Sequence, residues 1–460
     1  MRIIIEAHLV DDREQTERVQ LCAFERELTT DPIGMSLAEG KALLAAAQRY
    51  FVRGQCAGIS CGHARCEVCD AKLSLKGWHQ RKIRTAFGLV QVPSPRVRYC
   101  SCAGQPDGAT FSPLSKVVPH GMTPELEYLQ VKWAAHLSYA DACSLLREVL
   151  PVEQAISVTG VKRRVRVVGQ ELELASERPS SNPQPQMPPV TAVAVDSGWL
   201  KHCCPPRRHN RNVNVVVGRA CFQGGTTRLY SYVHNQVPSS SARLDQFLDS
   251  CGVGHDERVT VVSDGAGEFQ KAVDGTARPL CRILDWFHIA MKFRSIELCA
   301  LKFPRMLAPN GRLLRDEVQA CKWLTWHGKA GAAVARLKEI HDVLDGKDEL
   351  EYFNLYWSVR RTWGYLSLND RYLVNYCRRH HRNLPISSAI AESAVNQVVS
   401  LRMAKKRQMR WSDQGAHLLA QVRVTDLNGE LRPRAFAVPW RPPAKLNGWD
   451  DPFLRPYLQA

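Results

Sequence analysis

Two runs, Val193-Ala194-Val195-Asp196-Ser197-Gly198 and Val259-Thr260-Val261-Val262-Ser263-Asp264-Gly265-Ala266-Gly267, decide the fold. Each is a short apolar run rich in valine, closed by an acid and then by small residues. β-Branched side chains suit strands, and glycine after them marks a turn. Three further runs read the same way, so residues 193–195, 213–217, 229–233, 259–262 and 281–284 are expected as strands. Residues 242–248 and 268–273 are expected as helices between them. Early strands with short connections, followed by strands separated by helices, predict a mixed α/β sheet. Asp196 and Asp264 would then stand at strand ends, where open α/β sheets bind ligands. The glycines that follow would leave room beside each carboxylate for a phosphate or a metal. Either Asp alone reads better as the start of a turn; the two together favour a site.

A third acid lies in Ile390-Ala391-Glu392-Ser393-Ala394-Val395-Asn396. On a helix beginning near Ser388, Glu392 shares an apolar face with Val395 and Val399, so its carboxylate is expected to point toward the sheet. The alternative is a first-turn Glu favoured by the helix dipole and otherwise inert. Three carboxylates on rigid elements can hold two divalent metal ions, and such a pair can cut and rejoin phosphodiesters.

The rest of the chain is basic. Its 460 residues carry 62 Lys and Arg against 45 Asp and Glu, a net charge of +17. An excess of that size favours a polyanionic partner over a merely solvated surface. No apolar stretch approaches the length of a membrane span, and no charged-then-apolar leader is visible. A cytoplasmic location is therefore expected, where the 16 cysteines stay reduced and clustered ones read as metal ligands.

One such cluster is Cys66-x-x-Cys69 followed by Cys100-x-Cys102. Two close pairs at turns can bring four thiolates to one zinc ion. Cys61 and His63 could replace a ligand, and Cys56 is a weaker rival. Between the pairs, Arg84-Thr85-Ala86-Phe87-Gly88-Leu89-Val90-Gln91-Val92 reads as a hairpin turning near Gly88. Lys72, Lys76, Arg81, Lys82 and Arg84 would let this ribbon contact DNA. Cys203-Cys204 lacks further ligands nearby and reads as core or loop. Two basic runs flank the acids: Arg207, Arg208, His209 and Arg211 after the first, and Arg402, Lys405, Lys406, Arg407 and Arg410 after the third. They are expected to grip a phosphate backbone. Trp323, Trp326, Trp357 and Trp363 read as core by default, with stacking on unpaired bases as the alternative.

Several motifs in order resemble the DDE catalytic core of bacterial insertion-sequence transposases of the ISKra-like group. They are Ala194-Val195-Asp196-Ser197-Gly198, Ser263-Asp264-Gly265-Ala266, Asp285-Trp286-Phe287-His288, Ala391-Glu392-Ser393-Ala394-Val395 and Met409-Arg410-Trp411-Ser412. Arg84-Thr85-Ala86-Phe87-Gly88 and Thr123-Pro124-Glu125-Leu126-Glu127-Tyr128-Leu129 carry the resemblance into the N-terminal half. Asp285-Trp286-Phe287-His288 is also similar to the (Cys or Asp)-x-x-His signature of Mutator-like and hAT-like transposases. The chain departs from the group at Gly267-Glu268-Phe269, where members often carry x-Trp-Ile. The resemblance implies a ribonuclease-H-like core in which Asp196, Asp264 and Glu392 bind two magnesium or manganese ions, with Asp285 and His288 in support. It implies cleavage of element ends and transfer of the freed 3'-hydroxyl to target DNA. It also implies double-stranded DNA as partner and a homo-oligomer, with neither membrane nor small-molecule substrate. Two rivals are a zinc-ribbon regulator whose acids are structural and a ribonuclease-H-like nuclease without strand transfer.

The expected organisation is a helical region over 1–53, a zinc-ribbon-like module over 54–120 and a helical DNA-binding segment over 121–177. A Pro-rich linker over 178–190 leads to the catalytic core at 191–289. A helical insertion over 290–385, the Glu-bearing part of the core at 386–431 and a tail over 432–460 follow.

Overall fold

The structure is a computed structural model. It describes the chain apart from residues 11–15, 28–32, 63–64, 67, 105, 107, 119, 177–187, 205–211, 348–349, 404–408 and 433–460. Most of the Pro-rich linker and nearly all of the tail thus lie outside the described residues. The chain divides into two compact units, residues 1–131 with 139–161 and 432–460, and residues 132–138 with 162–431.

The first unit opens with β1 (Arg2–Val10) and β2 (Thr16–Glu25), which pair antiparallel. This corrects the helical expectation for residues 1–53. Three successive isoleucines at positions 3–5 favour a pleated strand, and helix begins only at α1 (Leu37–Gly62). The start of α1 is a capping box: Glu39 accepts from the Ser36 backbone N–H at 2.8 Å, and Ser36 Oγ accepts from the Glu39 N–H at 3.3 Å. Next come β3 (Leu75–Thr85) and β4 (Gly88–Arg98), a hairpin far longer than the sequence marks, with β5 (Thr110–Phe111) on its outer edge. Gly88 closes the turn at φ +116°, a conformation that favours glycine. Then follow α2 (Pro113–Val117), α3 (Pro124–His136) and α4 (Tyr139–Val149). Ile83, Val90 and Val92 of the hairpin bury against Val52 and Cys56 of α1 and Leu114 of α2.

The second unit contains most of α5 (Val158–Ser176) and then β6 (Val190–Lys201), β7 (Asn212–Phe222), β8 (Thr227–Val233), α6 (Ser240–Ser250), β9 (Thr260–Ser263), α7 (Gly267–Asp274) and β10 (Cys281–Leu284). The five strands form one mixed sheet in the order β10-β9-β6-β7-β8. β6, β7 and β8 run antiparallel in sequence, while β9 lies parallel to both β6 and β10. All five expected strands are present. Val193, Val195, Val216 and Val261 face Leu244, Phe247 and Phe269 of α6 and α7 in one core.

Helices fill the chain from β10 onward: α8 (Trp286–Ala300), α9 (Leu314–Trp326), α10 (Ala330–Asp345), α11 (Phe353–Leu368) and α12 (Tyr376–His381) share a second core. Trp326 packs there on Trp286 at 4.7 Å, and Trp363 packs on His341 at 5.0 Å. The chain then returns to the sheet as α13 (Ala389–Val395), a π-helical segment (Asn396–Ser400), α14 (Leu401–Met403) and α15 (Asp413–Leu427). α15 covers the free edge of β8. Asn428 bonds both the N–H and the carbonyl of Leu229, Gln421 donates to Ser231 O, and His417 Nδ1 accepts from the Val233 N–H. Side chains thus satisfy an edge that would otherwise offer itself to another strand.

Candidate active site and metal centre

Register places the two first acids. Val195 of β6 pairs with Ser263 of β9, and Ser263 pairs with Leu284 of β10. Asp196, Asp264 and Asp285 are the next residues on three adjacent parallel strands, so they form a row across the sheet, with neighbouring strands about 4.8 Å apart. Asp264 and Asp285 follow their strands' last residues. Asp196 does not: β6 continues to Lys201, paired with β7. It is the first β6 residue beyond the pairing with β9, which is where that edge of the sheet opens.

Two of the glycines have another purpose than the one read from sequence. A Cβ on Gly198 would meet Val399 at 3.0 Å and Val395 at 3.1 Å. A Cβ on Gly265 would meet the Tyr365 ring at 2.4 Å and the Asn369 amide at 2.9 Å. Gly198 and Gly265 each admit a packed side chain, whereas Gly267 has nothing within 4 Å and leaves open space.

Asp196 and Asp264 are both half-buried. One oxygen of each is oriented by the backbone: Asp196 Oδ1 accepts from the Ser197 N–H at 2.7 Å and Asp264 Oδ1 from the Ala266 N–H at 2.9 Å. Burial and the Asp264 charge hold the Asp196 carboxyl above its usual range. A divalent cation would relieve that repulsion, and an all-oxygen donor set suits magnesium or manganese. The pair therefore fits the ions that the resemblance implies.

Asp285 is differently occupied. It is fully buried and caps α8, accepting from the Phe287 N–H at 2.7 Å. Its other oxygen accepts from His288 Nδ1 at 2.8 Å and from Ser388 Oγ. Burial pushes its carboxyl up, but these hydrogen bonds outweigh burial and leave it below its ordinary range. His288 is raised, first by the bond to Asp285 and further by the charges of Asp264 and Asp196. Ser388 is the residue from which α13 starts, and the Trp286 N–H donates to Ile386 O at 2.9 Å. Asp285 thus ties α8 to the segment that carries Glu392.

α13 packs on β6 and β7, and Val395 lies over Gly198. Glu392 itself is exposed. This corrects the inward orientation expected from its apolar neighbours: Val399 is buried and Val395 half-buried, while the carboxylate one turn earlier reaches solvent. Glu268, left without a role by the sequence, accepts from Asn214 Nδ2 of β7 at 2.7 Å.

Three residues beside Asp264 escaped the sequence reading. Arg282 is buried, donates to Ser263 Oγ at 2.9 Å and to Asp264 O at 2.7 Å, and so fixes the loop after β9. Lys292 lies over the Tyr365 ring at 4.2 Å, its pKa lowered by burial and partly restored by Asp264. Burial, then Asp264, raises the Tyr365 hydroxyl. The one legible signal was Arg282, a charge inside an apolar strand.

Of the expected DNA contacts, Arg402 is a correction. It is fully buried, donates to Ala134 O at 3.0 Å and lies over the Trp411 ring at 5.6 Å, so it builds the core. Arg410 is exposed. Arg207, Arg208, His209, Arg211, Lys405, Lys406 and Arg407 lie outside the described residues.

The cysteine reading holds. The sulfurs of Cys66, Cys69, Cys100 and Cys102 lie within 4.8 Å of one another, the one group of three or more possible ligands so gathered among the described residues. Cys66 to Cys102 is 3.4 Å and Cys69 to Cys100 is 3.5 Å. A tetrahedral zinc site with bonds of about 2.3 Å spaces its sulfurs about 3.8 Å apart, so the four fit zinc. Backbone N–H groups of Cys69 and Val68 draw the Cys66 thiol down to about 7, while the neighbouring sulfurs push Cys102 far up. Four sulfurs this close cannot all ionise without a cation. Cys56 is buried in the α1 core, Cys203 and Cys204 are exposed, and the Cys61 side chain and His63 lie outside the described residues.

No protein-family model matches the chain, and no curated protein matches it. Among solved structures it is similar to the Drosophila P element transposase strand transfer complex, at 11% identity over 69% of this chain and 96% of that one, with a TM-score of 0.32. A likeness of that size does not define a shared fold. Among the described residues no helix is long and apolar enough to cross a membrane.

Proposed function

We propose that this chain is a DNA transposase of the DDE kind, similar to the ISKra-like insertion-sequence enzymes, built on a ribonuclease-H-like core. The observation that carries the reading is the register of β6 and β9, which sets Asp196 beside Asp264 with one oxygen of each oriented by a backbone N–H. The strand order β10-β9-β6-β7-β8, the motifs in sequence order and the +17 charge support it.

In this reading Asp196, Asp264 and Glu392 hold two magnesium or manganese ions. Bound there, the ions would supply activation of an attacking oxygen and stabilisation of a leaving one. Ser197 and Ala266 orient the two aspartates through their N–H groups. Asp285 raises the pKa of His288 beside them through their hydrogen bond and tethers α13, so that Glu392 approaches from the helix packed on β6. Lys292 adds a cation on the Asp264 side. The substrate is double-stranded DNA at element ends, and the freed 3'-hydroxyl attacks target DNA in a homo-oligomer that joins two ends.

The test is cleavage of labelled element-end duplex with Mg or Mn by Asp196→Asn, Asp264→Asn and Glu392→Gln. Each is expected to lose cleavage and keep DNA binding; wild-type cleavage by any one of them removes that acid from the site. Joined products in a strand-transfer assay separate a transposase from a plain nuclease.

A further inference from the structure

We infer that the outer face of the β3–β4 ribbon is a duplex-DNA surface shaped for the major groove. This deepens the transposase reading by assigning where the duplex is held, and it rests on observations apart from the acids.

Alternation gives the ribbon two unlike faces. Ile83, Val90 and Val92 point inward to α1 and α2. The opposite face pairs Lys82 with Gln91, Gln80 with Pro93 and Trp78 with Pro95 across the strands. Lys82, Gln80, Gln91 and Pro93 are exposed, and Trp78 is 59% exposed, unusual for an indole with nothing to cover it. Lys76 is exposed toward the open end; Arg96, paired with Gly77, has the parity of Val90 and Val92 and lies off this face, as does Arg98. From Leu75 to Arg98 there is no Asp or Glu, and among the described residues no acid forms an ion pair with Lys76 or Lys82.

Not every ribbon cation belongs to this surface. Arg81 points to the core side, donating to Ser115 Oγ at 3.0 Å and to Val118 O. It is structural, although sequence grouped it with the others.

Dimensions select the partner. Two paired strands sit about 4.8 Å apart, and the major groove of B-DNA, about 12 Å wide, admits such a ribbon. The deep, narrow major groove of duplex RNA does not. Lys76 and Lys82 can meet phosphates, while Gln80 and Gln91 carry the amide donor and acceptor that match adenine edges. The four cysteines flank the ribbon in sequence, two before β3 and two after β4. Metal bound there would pin the open end and keep the face flat against a groove.

The experiment is fluorescence anisotropy of the full, zinc-loaded chain on random-sequence DNA duplex over a salt series, without magnesium. Wild-type affinity is expected to fall steeply with salt. Lys82→Ala and Lys76→Ala should each reduce the log–log salt slope by about one. Arg81→Ala should leave the slope unchanged. Gln80→Ala should keep random-duplex affinity but weaken preference within a pool of randomised duplexes. A wild-type slope in the Lys82→Ala/Lys76→Ala double variant, or equal competition by duplex RNA, overturns the proposal. Asp196→Asn should bind as wild type does. If it loses cleavage while the ribbon variants bind normally, the ribbon assignment fails and the catalytic reading stands.

Discussion

At the scale of single residues, Gly265 shows why an acid and a glycine travel together here. The Tyr365 ring occupies the space where a Cβ would stand, so Gly265→Ala forces ring or loop to move. Overpacking of this kind costs about 1–3 kcal/mol. Urea unfolding of Gly265→Ala should show that loss, and Tyr365→Ala in the same chain should reduce the cost of the glycine change, leaving the Asn369 amide at 2.9 Å as the remaining close contact. His288 gives a pH-dependent counterpart. Folding raises its pKa, so its contribution is complete below the unfolded value of about 6.5 and is lost as pH rises through the higher folded value. Asp285 is lowered, so its contribution is present above the unfolded carboxylate value and is lost as pH falls through the folded one. The thermal destabilisation caused by His288→Gln in metal-free protein should therefore shrink from about pH 6 to about pH 9. NMR titration should place His288 above its ordinary value, and Asp285→Asn should bring it back down.

At the scale of elements, the π-helical segment after α13 needs an outside donor. Its irregular turn leaves carbonyls without helical partners, as such bulges do. Arg423 of α15, itself buried, supplies them: Nε donates to Val398 O at 2.6 Å, while the guanidinium also reaches Gln397 O and Ala135 O. One side chain thereby joins α15, the C-terminal turn of α3 and the segment after Glu392. Arg423→Met keeps the bulk and leaves the buried carbonyls of Val398 and Ala135 and the part-buried one of Gln397 without this donor, the two buried ones costing about 1–3 kcal/mol each. A loss of several kcal/mol in chemical denaturation is the expected outcome, with cleavage impaired beyond the folded fraction because α13 is no longer held. If cleavage simply follows the folded fraction, the segment is structural alone.

For the whole molecule, the two compact units should respond differently to metal. Removing zinc with a chelator leaves four crowded sulfurs without a cation, so the unit carrying them should melt earlier in calorimetry while the sheet-bearing unit keeps its transition. Acid should release the same zinc, because the ligands must be thiolates; metal content after dialysis at falling pH checks this. A second transition that moves equally on chelation would show that the metal serves both units.

Much of this was legible locally. Short runs rich in β-branched, aliphatic or aromatic residues marked all five strands, because strand preference is a property of a few adjacent residues. The paired cysteines marked a cluster whose sulfurs could hold a metal ion, because tetrahedral sulfur ligation needs little beyond close pairs on turns. The helical expectation for residues 1–53 fails at β1–β2, because the isoleucines at positions 3–5 pair across a hairpin with Cys22, Ala23 and Phe24.

What the amino-acid order determined by itself was the kind of elements present, the two strand-borne aspartates and the four zinc-type ligands. Tertiary structure alone decided that Asp285 joins the row of Asp196 and Asp264 yet is taken up by His288 and Ser388, that Arg402 is core and that Glu392 is exposed. The reason is range: strand and turn preferences act between neighbours in the chain, whereas register, burial and the partner of a charge depend on segments brought together only when the chain folds.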